Sequence, residues 1–162
     1  MSYDLRDHTA DVAVEATATT LSALFEAVAD GLAAASCESV PETGKRFALS
    51  VSAESREALL FDFLDQLIYE RDVRLVLPVD HRCDVSNGTR NGGDGNEGWS
   101  DDNDGDNRQN HDNDESTWTV EATARGVPLS DVAAREIKAV TYSEMTIERR
   151  GDEWYAYVVL DV

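Results

Sequence analysis

The sequence predicts an α+β fold, with two helices packed on one face of a mixed, largely antiparallel β-sheet. Two stretches in the first half carry apolar residues at helical spacing. Strand-like alternation flanks them and fills the second half. Helices grouped early and strands grouped late favour α+β over a regular βαβ alternation. The chain has no internal repeat.

Val12, Val14, Ala16 and Ala18 alternate with Ala13, Glu15 and Thr17, which predicts a half-buried strand. Leu21, Leu24, Phe25, Val28 and Leu32 then recur at helical spacing, with Thr20 as the N-cap. Pro41 and Gly44 mark a turn before a strand over Phe47–Ala53. Ser55 caps a second helix running to Tyr69. Its apolar arc (Leu59, Leu60, Phe63, Leu64, Leu67, Ile68) is wide, which predicts that this helix is the central one. Val73–Val85 reads as a strand, with Pro78 at an edge or bulge. Trp118–Arg125 alternates again. Ile137–Arg149 and Trp154–Val162 form a hairpin around Arg150-Gly151-Asp152-Glu153.

The 162 residues make one domain, long enough to bury a real core. Acidic residues number 33 and basic ones 14, for a net charge of −19. No apolar run approaches the roughly 18 residues of a membrane span. Met1–Thr20 lacks the basic start and apolar stretch of a secretory signal, so a cytoplasmic protein is expected. High-affinity nucleic-acid binding is disfavoured, because phosphate contacts need a basic patch. Only Lys45 and Lys138 are lysine; the other basic residues are arginine. A uniform acidic coat with scarce lysine resembles halophilic proteins. In molar salt the Debye length falls to roughly 3 Å and self-repulsion is screened. Most of the charge therefore reads as habitat, with a basic partner surface as the alternative. Cys37 and Cys83 form no C-x-x-C and read as reduced cytosolic thiols, with a disulfide as the alternative.

Asn87–Ser116 stands apart. It holds nine acidic and two basic residues, and Trp99 is its only large apolar side chain. Such a segment buries too little apolar area to offset its ordering entropy, so a disordered loop is expected. The remaining body still carries −12, so the acidity is not confined to the loop. Asp102-Asn103-Asp104-Gly105-Asp106 begins like an EF-hand loop, but Asn107 and Asn113 stand where Gly and Glu are required. No P-loop, G-x-S-x-G or dinucleotide fingerprint occurs. His8, His81 and His111 are the only histidines, which leaves little for a zinc site or a catalytic triad.

Three places could carry chemistry. In Asp7-His8-Thr9-Ala10-Asp11, His8 and Asp11 are either metal ligands or turn caps. At the other end, Asp161 and the carboxylate of Val162 put two anionic groups one residue apart. That suits a hard divalent cation, although spacing alone favours a plain exposed acidic end. Third, Lys138 persists in a chain that prefers arginine. It reads as a partner to a carboxylate, a proton carrier or an ordinary surface lysine.

Four motifs in order resemble the archease family. They are His8-Thr9-Ala10-Asp11, Leu60-Phe61-Asp62-Phe63-Leu64 with Tyr69-Glu70-Arg71-Asp72, Glu136-Ile137-Lys138-Ala139-Val140-Thr141-Tyr142, and Val159-Leu160-Asp161-Val162. The resemblance covers residues 3 to 85 and 117 to 162. It implies one archease-like domain over 1–162, with the acidic stretch 87–116 as an insertion.

The resemblance also implies a function. Archeases are cytosolic cofactor proteins of the GTP-dependent ligase that joins tRNA exon halves. They promote guanylylation of the ligase and its repeated turnover, and do not catalyse ligation themselves. By motif match, Asp11, Asp161 and the main-chain oxygens of Val162 would hold a divalent cation. Calcium is expected, and Mg²⁺ or Mn²⁺ suits the same oxygen donors. Lys138 would support activation without ligating the metal. The implied partner is the RNA ligase, with no membrane and no direct nucleic-acid partner. Two residues depart from the family pattern: Ser143 stands where His is frequent, and Ala13 where Gly is frequent. A metal-dependent hydrolase using Asp11, Lys138 and Asp161, or a chaperone-like binding module, are the alternatives.

Overall fold

The computed structural model describes residues 2–8, 11–88 and 117–162. The chain runs β1 (Ser2–His8), β2 (Asp11–Ala18), α1 (Leu21–Ser36), β3 (Lys45–Ala53), α2 (Arg56–Arg74), β4 (Val76–Asn87), β5 (Trp118–Pro128), β6 (Ala139–Arg150) and β7 (Glu153–Asp161), with a 3₁₀ turn at Leu129–Asp131. Both helices start where their caps predict: the Ala23 N–H donates to Thr20 Oγ1, and the Ala58 N–H to Ser55 Oγ, each at 3.1 Å.

The α+β class and the two helices are as expected, and every described strand pair is antiparallel. The strands divide between two sheets. One has the order β1-β2-β7-β6 and the other β3-β5-β4. Both helices touch both sheets, and one core of buried side chains joins all of them.

Four local expectations change. The second helix continues past Tyr69 to Arg74, because Arg71 turns inward and Arg74 pairs with Glu70 one turn earlier. It ends where Leu75 adopts a left-handed conformation (φ 55°), which moves the start of the next strand from Val73 to Val76. β6 starts at Ala139 rather than Ile137, whose carbonyl is taken by Arg71. The helix most enclosed is α1, with ten buried residues of 16 against seven of 19 in α2. Its small residues let it lie against β2. A Cβ on Gly31 would come within 2.6 Å of Val14 Cγ1.

Helix α1 also closes one edge of the three-stranded sheet. Ser22 Oγ accepts from the Val85 N–H (2.9 Å), Glu26 Oε1 from the Cys83 N–H (2.8 Å) and Asp30 Oδ1 from the His81 N–H (3.2 Å). Asp30 Oδ1 also meets His81 Nδ1 at 2.8 Å. These side chains satisfy backbone donors that an edge strand would otherwise leave open. Pro78 lies on this edge strand, beside a register shift between Val79 and Arg82. Cys37 and Cys83 are both free thiols.

Arg56 fixes how the sheets meet. Its guanidinium lies over the rings of Trp118 (5.9 Å) and Trp154 (4.9 Å), so these strand ends share one pole of the molecule. Asn87 pairs with Trp118 at that pole. The acidic loop expected at 87–116 falls, from residue 89 onward, outside the described residues, as do Thr9, Ala10 and His111.

Candidate metal centre

Strand β7 brings the beginning and the end of the sequence together. It pairs with β2 on one side and β6 on the other, so Asp11, Asp161 and Ala139 form one row across the sheet. His8 extends that row through β1. In the next row inward, Val12, Leu160 and Val140 are buried in the core. Side chains alternate along a strand, and directly opposed residues share a face. Asp11 and Asp161 therefore stand side by side on the face away from the core.

The surrounding main chain is held tightly. The Lys138 N–H donates to the Asp161 carbonyl at 2.8 Å. One residue earlier, the Ile137 carbonyl accepts from Arg71 Nη1 at 2.8 Å in the interior. Arg135 anchors the same segment to the end of α1: its N–H donates to the Ser36 carbonyl (2.6 Å) and its Nη2 to that of Ala35 (3.1 Å). Lys138 is exposed, whereas Asp11, Asp161 and Val162 are each half-buried. Tyr142 leans on Phe61 of α2, with ring centres 5.2 Å apart.

The electrostatics of the pair are one-sided. Like charges directly opposite in a sheet repel. Among the described residues, no cationic side chain forms an ion pair with Asp11 or Asp161. No three His, Cys, Asp or Glu side chains among the described residues gather around one point. Any ion held at this row would take the two carboxylates and main-chain oxygens. That donor set is hard and falls short of the six to eight oxygens calcium takes, so water or a partner would complete it.

The structure thus gathers Asp11, Asp161, Val162 and Lys138 at one end of one sheet, although 150 positions separate the two aspartates in sequence. His81 lies elsewhere, against Asp30. Sequence reasoning gave no role to Arg71. Its signal was available: an arginine inside a helix at a position that continues the buried arc of Phe63, Leu64, Leu67 and Ile68.

Fold and site together define a small α+β protein of two helices and two sheets, carrying an acidic row where its first and last core strands meet. Residues 3–162 match the model of the archease protein family (MTH1598/TM1083). The chain belongs to the archease family. Protein archease of Methanosarcina acetivorans is 26% identical, over 99% of this chain and 95% of that protein. Protein archease of Thermococcus gammatolerans is 30% identical, over 96% and 95%. The solution structure of Methanobacterium thermoautotrophicum protein 1598 has the same fold, with a TM-score of 0.70 at 21% identity over 99% of this chain and 98% of that one. A crystal structure from Thermotoga maritima, described as an archease and possible chaperone, aligns with a TM-score of 0.56 at 22% identity, over 97% and 94%. No described helix is long and apolar enough to cross a membrane.

Proposed function

We propose that this protein activates the GTP-dependent RNA-splicing ligase of tRNA splicing, promoting guanylylation of the ligase and its multiple turnover, without catalysing ligation itself. Asp11, Asp161 and the main-chain oxygens of Val162 hold a divalent cation, calcium in the first instance. Lys138, whose main chain is fixed to Asp161, supports activation from beside the ion. The observation that carries this reading is the direct opposition of Asp11 and Asp161 with no described cation to neutralise them. When bound, the cation supplies charge neutralisation and open coordination positions that a partner's oxygens can fill. The acidic surface suits a protein partner better than RNA, and a salt-rich cytosol is the setting that its composition fits.

The test is multiple-turnover RNA ligation by a related ligase in high KCl with GTP and a divalent ion, with and without this protein. Added parent protein raises turnover many-fold, and the Asp161→Asn variant does not. Equal activation by that variant removes the cation from the account. A competent ligase indifferent to the parent removes the activator role. Suppression of protein aggregation in the absence of any ligase would then favour a chaperone-like module.

A further inference from the structure

Arginines of this chain lie over four of its aromatic rings. Arg56 and Arg149 lie over Trp154, Arg56 also over Trp118, Arg74 over Phe47 and Arg150 over Tyr155. Three exposed tyrosines lack such cover among the described residues, Tyr3 (39% exposed), Tyr69 and Tyr142, and the last two are the most exposed. Tyr69 is 57% exposed and Tyr142 53%, and among the described residues no cation lies over either ring.

Both belong to one continuous surface. Tyr142 leans on Phe61, and Phe61, Asp65, Tyr69 and Val73 follow one another at four-residue steps along α2. The strip is roughly 18 Å long, at 1.5 Å per residue. Val73, at its far end, is 60% exposed. Asp62 and Asp65 are exposed beside the rings, with no described ion-pair partner. On the β6 side the strand bulges between Thr141 and Thr146, and Glu144 takes a left-handed conformation (φ 62°) on the sheet's free edge. Bulges of this kind end edge pairing and re-aim side chains.

The net charge of −19 by itself singles out no face. Bare tyrosine rings interleaved with unpaired carboxylates do. A planar guanidinium stacks on a ring and forks onto a carboxylate, and an ammonium does neither as well. We infer that the α2–β6 face, built on Phe61, Asp62, Asp65, Tyr69 and Tyr142, docks an arginine-bearing segment of the partner protein. The partner's arginines take the place that this chain's own arginines occupy over Phe47, Trp118, Trp154 and Tyr155. The inference rests on the reading of that partner as the RNA-splicing ligase. Tyr142 lies three residues along the chain from Ala139, which pairs with Asp161, so docking there places the ligase at the same end of the sheet as Asp11 and Asp161.

The experiment is equilibrium binding of purified ligase to the full-length protein at fixed high KCl, with circular dichroism confirming the fold of each variant. Tyr69→Ser/Tyr142→Ser raises Kd at least about tenfold, and saturating variant restores full ligation turnover. Asp65→Arg, which leaves both rings in place, also weakens binding. Asp161→Asn, which leaves both rings and Asp65 in place, fails in turnover even where it saturates the ligase. If the parent binds and the double tyrosine variant binds within about twofold of it, the docking face is wrong while the activator reading stands. If the parent itself does not bind a competent ligase, the partner reading falls and this inference falls with it.

Discussion

Arg71 and Ile137 meet in the interior: the guanidinium donates to the main-chain oxygen at 2.8 Å across 66 residues of sequence. Arg71 is only 8% exposed, and its remaining described contacts go to Asp72. The next residue after Ile137 is Lys138, whose N–H holds the Asp161 carbonyl. Helix α2 therefore sets where β6 begins, and that sets the main chain at the acidic row.

Replacing Arg71 by Met leaves a buried carbonyl without its donor and is expected to cost about 1–3 kcal/mol of stability. Arg71→Lys keeps one charged donor and recovers part of the loss. Denaturant titration of the three proteins decides it. A midpoint for Arg71→Met equal to the parent's would show that the contact contributes nothing.

The proposed cation site carries opposite predictions with and without metal. In chelator, Asp161→Asn relieves the repulsion with Asp11 and raises stability by up to about 1 kcal/mol. With calcium at a hundred times its Kd, the parent gains about 2.7 kcal/mol and the variant does not. Thermal melts in chelator and across a calcium series read both. Equal calcium shifts in the two proteins would place the ion elsewhere.

Cys83 introduces an alkaline dependence. Burial first, then the neighbouring Glu26 and Asp30 carboxylates, push its thiol well above the ordinary value of 9.0. The folded protein keeps the proton, and the unfolded chain releases it above pH 9.0. The native state then binds more protons than the unfolded one, so stability falls as pH rises past that point. The slope is at most about 1.4 kcal/mol per pH unit, and nothing is lost below it. Urea titrations between pH 8 and 11 would show a shallower decline for Cys83→Ala. Parallel slopes would remove Cys83 as the cause.

The acidic stretch lies between Asn87 and Trp118, which face each other in the β4–β5 ladder. Trp154 shares that pole, and Asp161 lies seven residues further along β7, roughly 23 Å away. We therefore propose a single domain that carries the loop at the end opposite its acidic row. Replacing residues 89–116 by a short turn is expected to leave the melting midpoint unchanged or raised, since a shorter loop lowers closure entropy by up to about 2 kcal/mol. Calcium affinity stays the same. A large fall in the midpoint would mean that the segment packs on the body.

Local chemistry made much of the fold readable. Thr20 and Ser55 announce their helices, and Arg150-Gly151 announces the last hairpin, because caps and turns act over a few residues. Strand β1 was missed although Tyr3 and Leu5 alternate with Asp4 and Arg6, a signal only four residues long. Alternation tells which residues face a core and not which strand is the neighbour, so the division into two sheets had no local signal. The same holds for the site. Spacing left Asp11 and Asp161 as separate, ambiguous acids, and only the family resemblance joined them. Arg71 escaped because a charge in a buried arc looks like the edge of a helix, and its partner is a carbonyl that no composition reveals.

The side chains that close β4 behave as two combs of unequal pitch. Four residues of helix advance about 6.0 Å and two residues of strand about 6.6 Å, so each successive tooth slips by about 0.6 Å. Three teeth, Ser22, Glu26 and Asp30, still engage, and the last contact with a strand N–H is already the longest at 3.2 Å. A fourth would miss by about 1.8 Å, more than a hydrogen bond tolerates. The helix has Ala34 at that place, and the strand breaks register between Val79 and Arg82. Lattice mismatch, the short side chain of Ala34 and a strand irregularity that already includes His81 together end the seal at the third tooth.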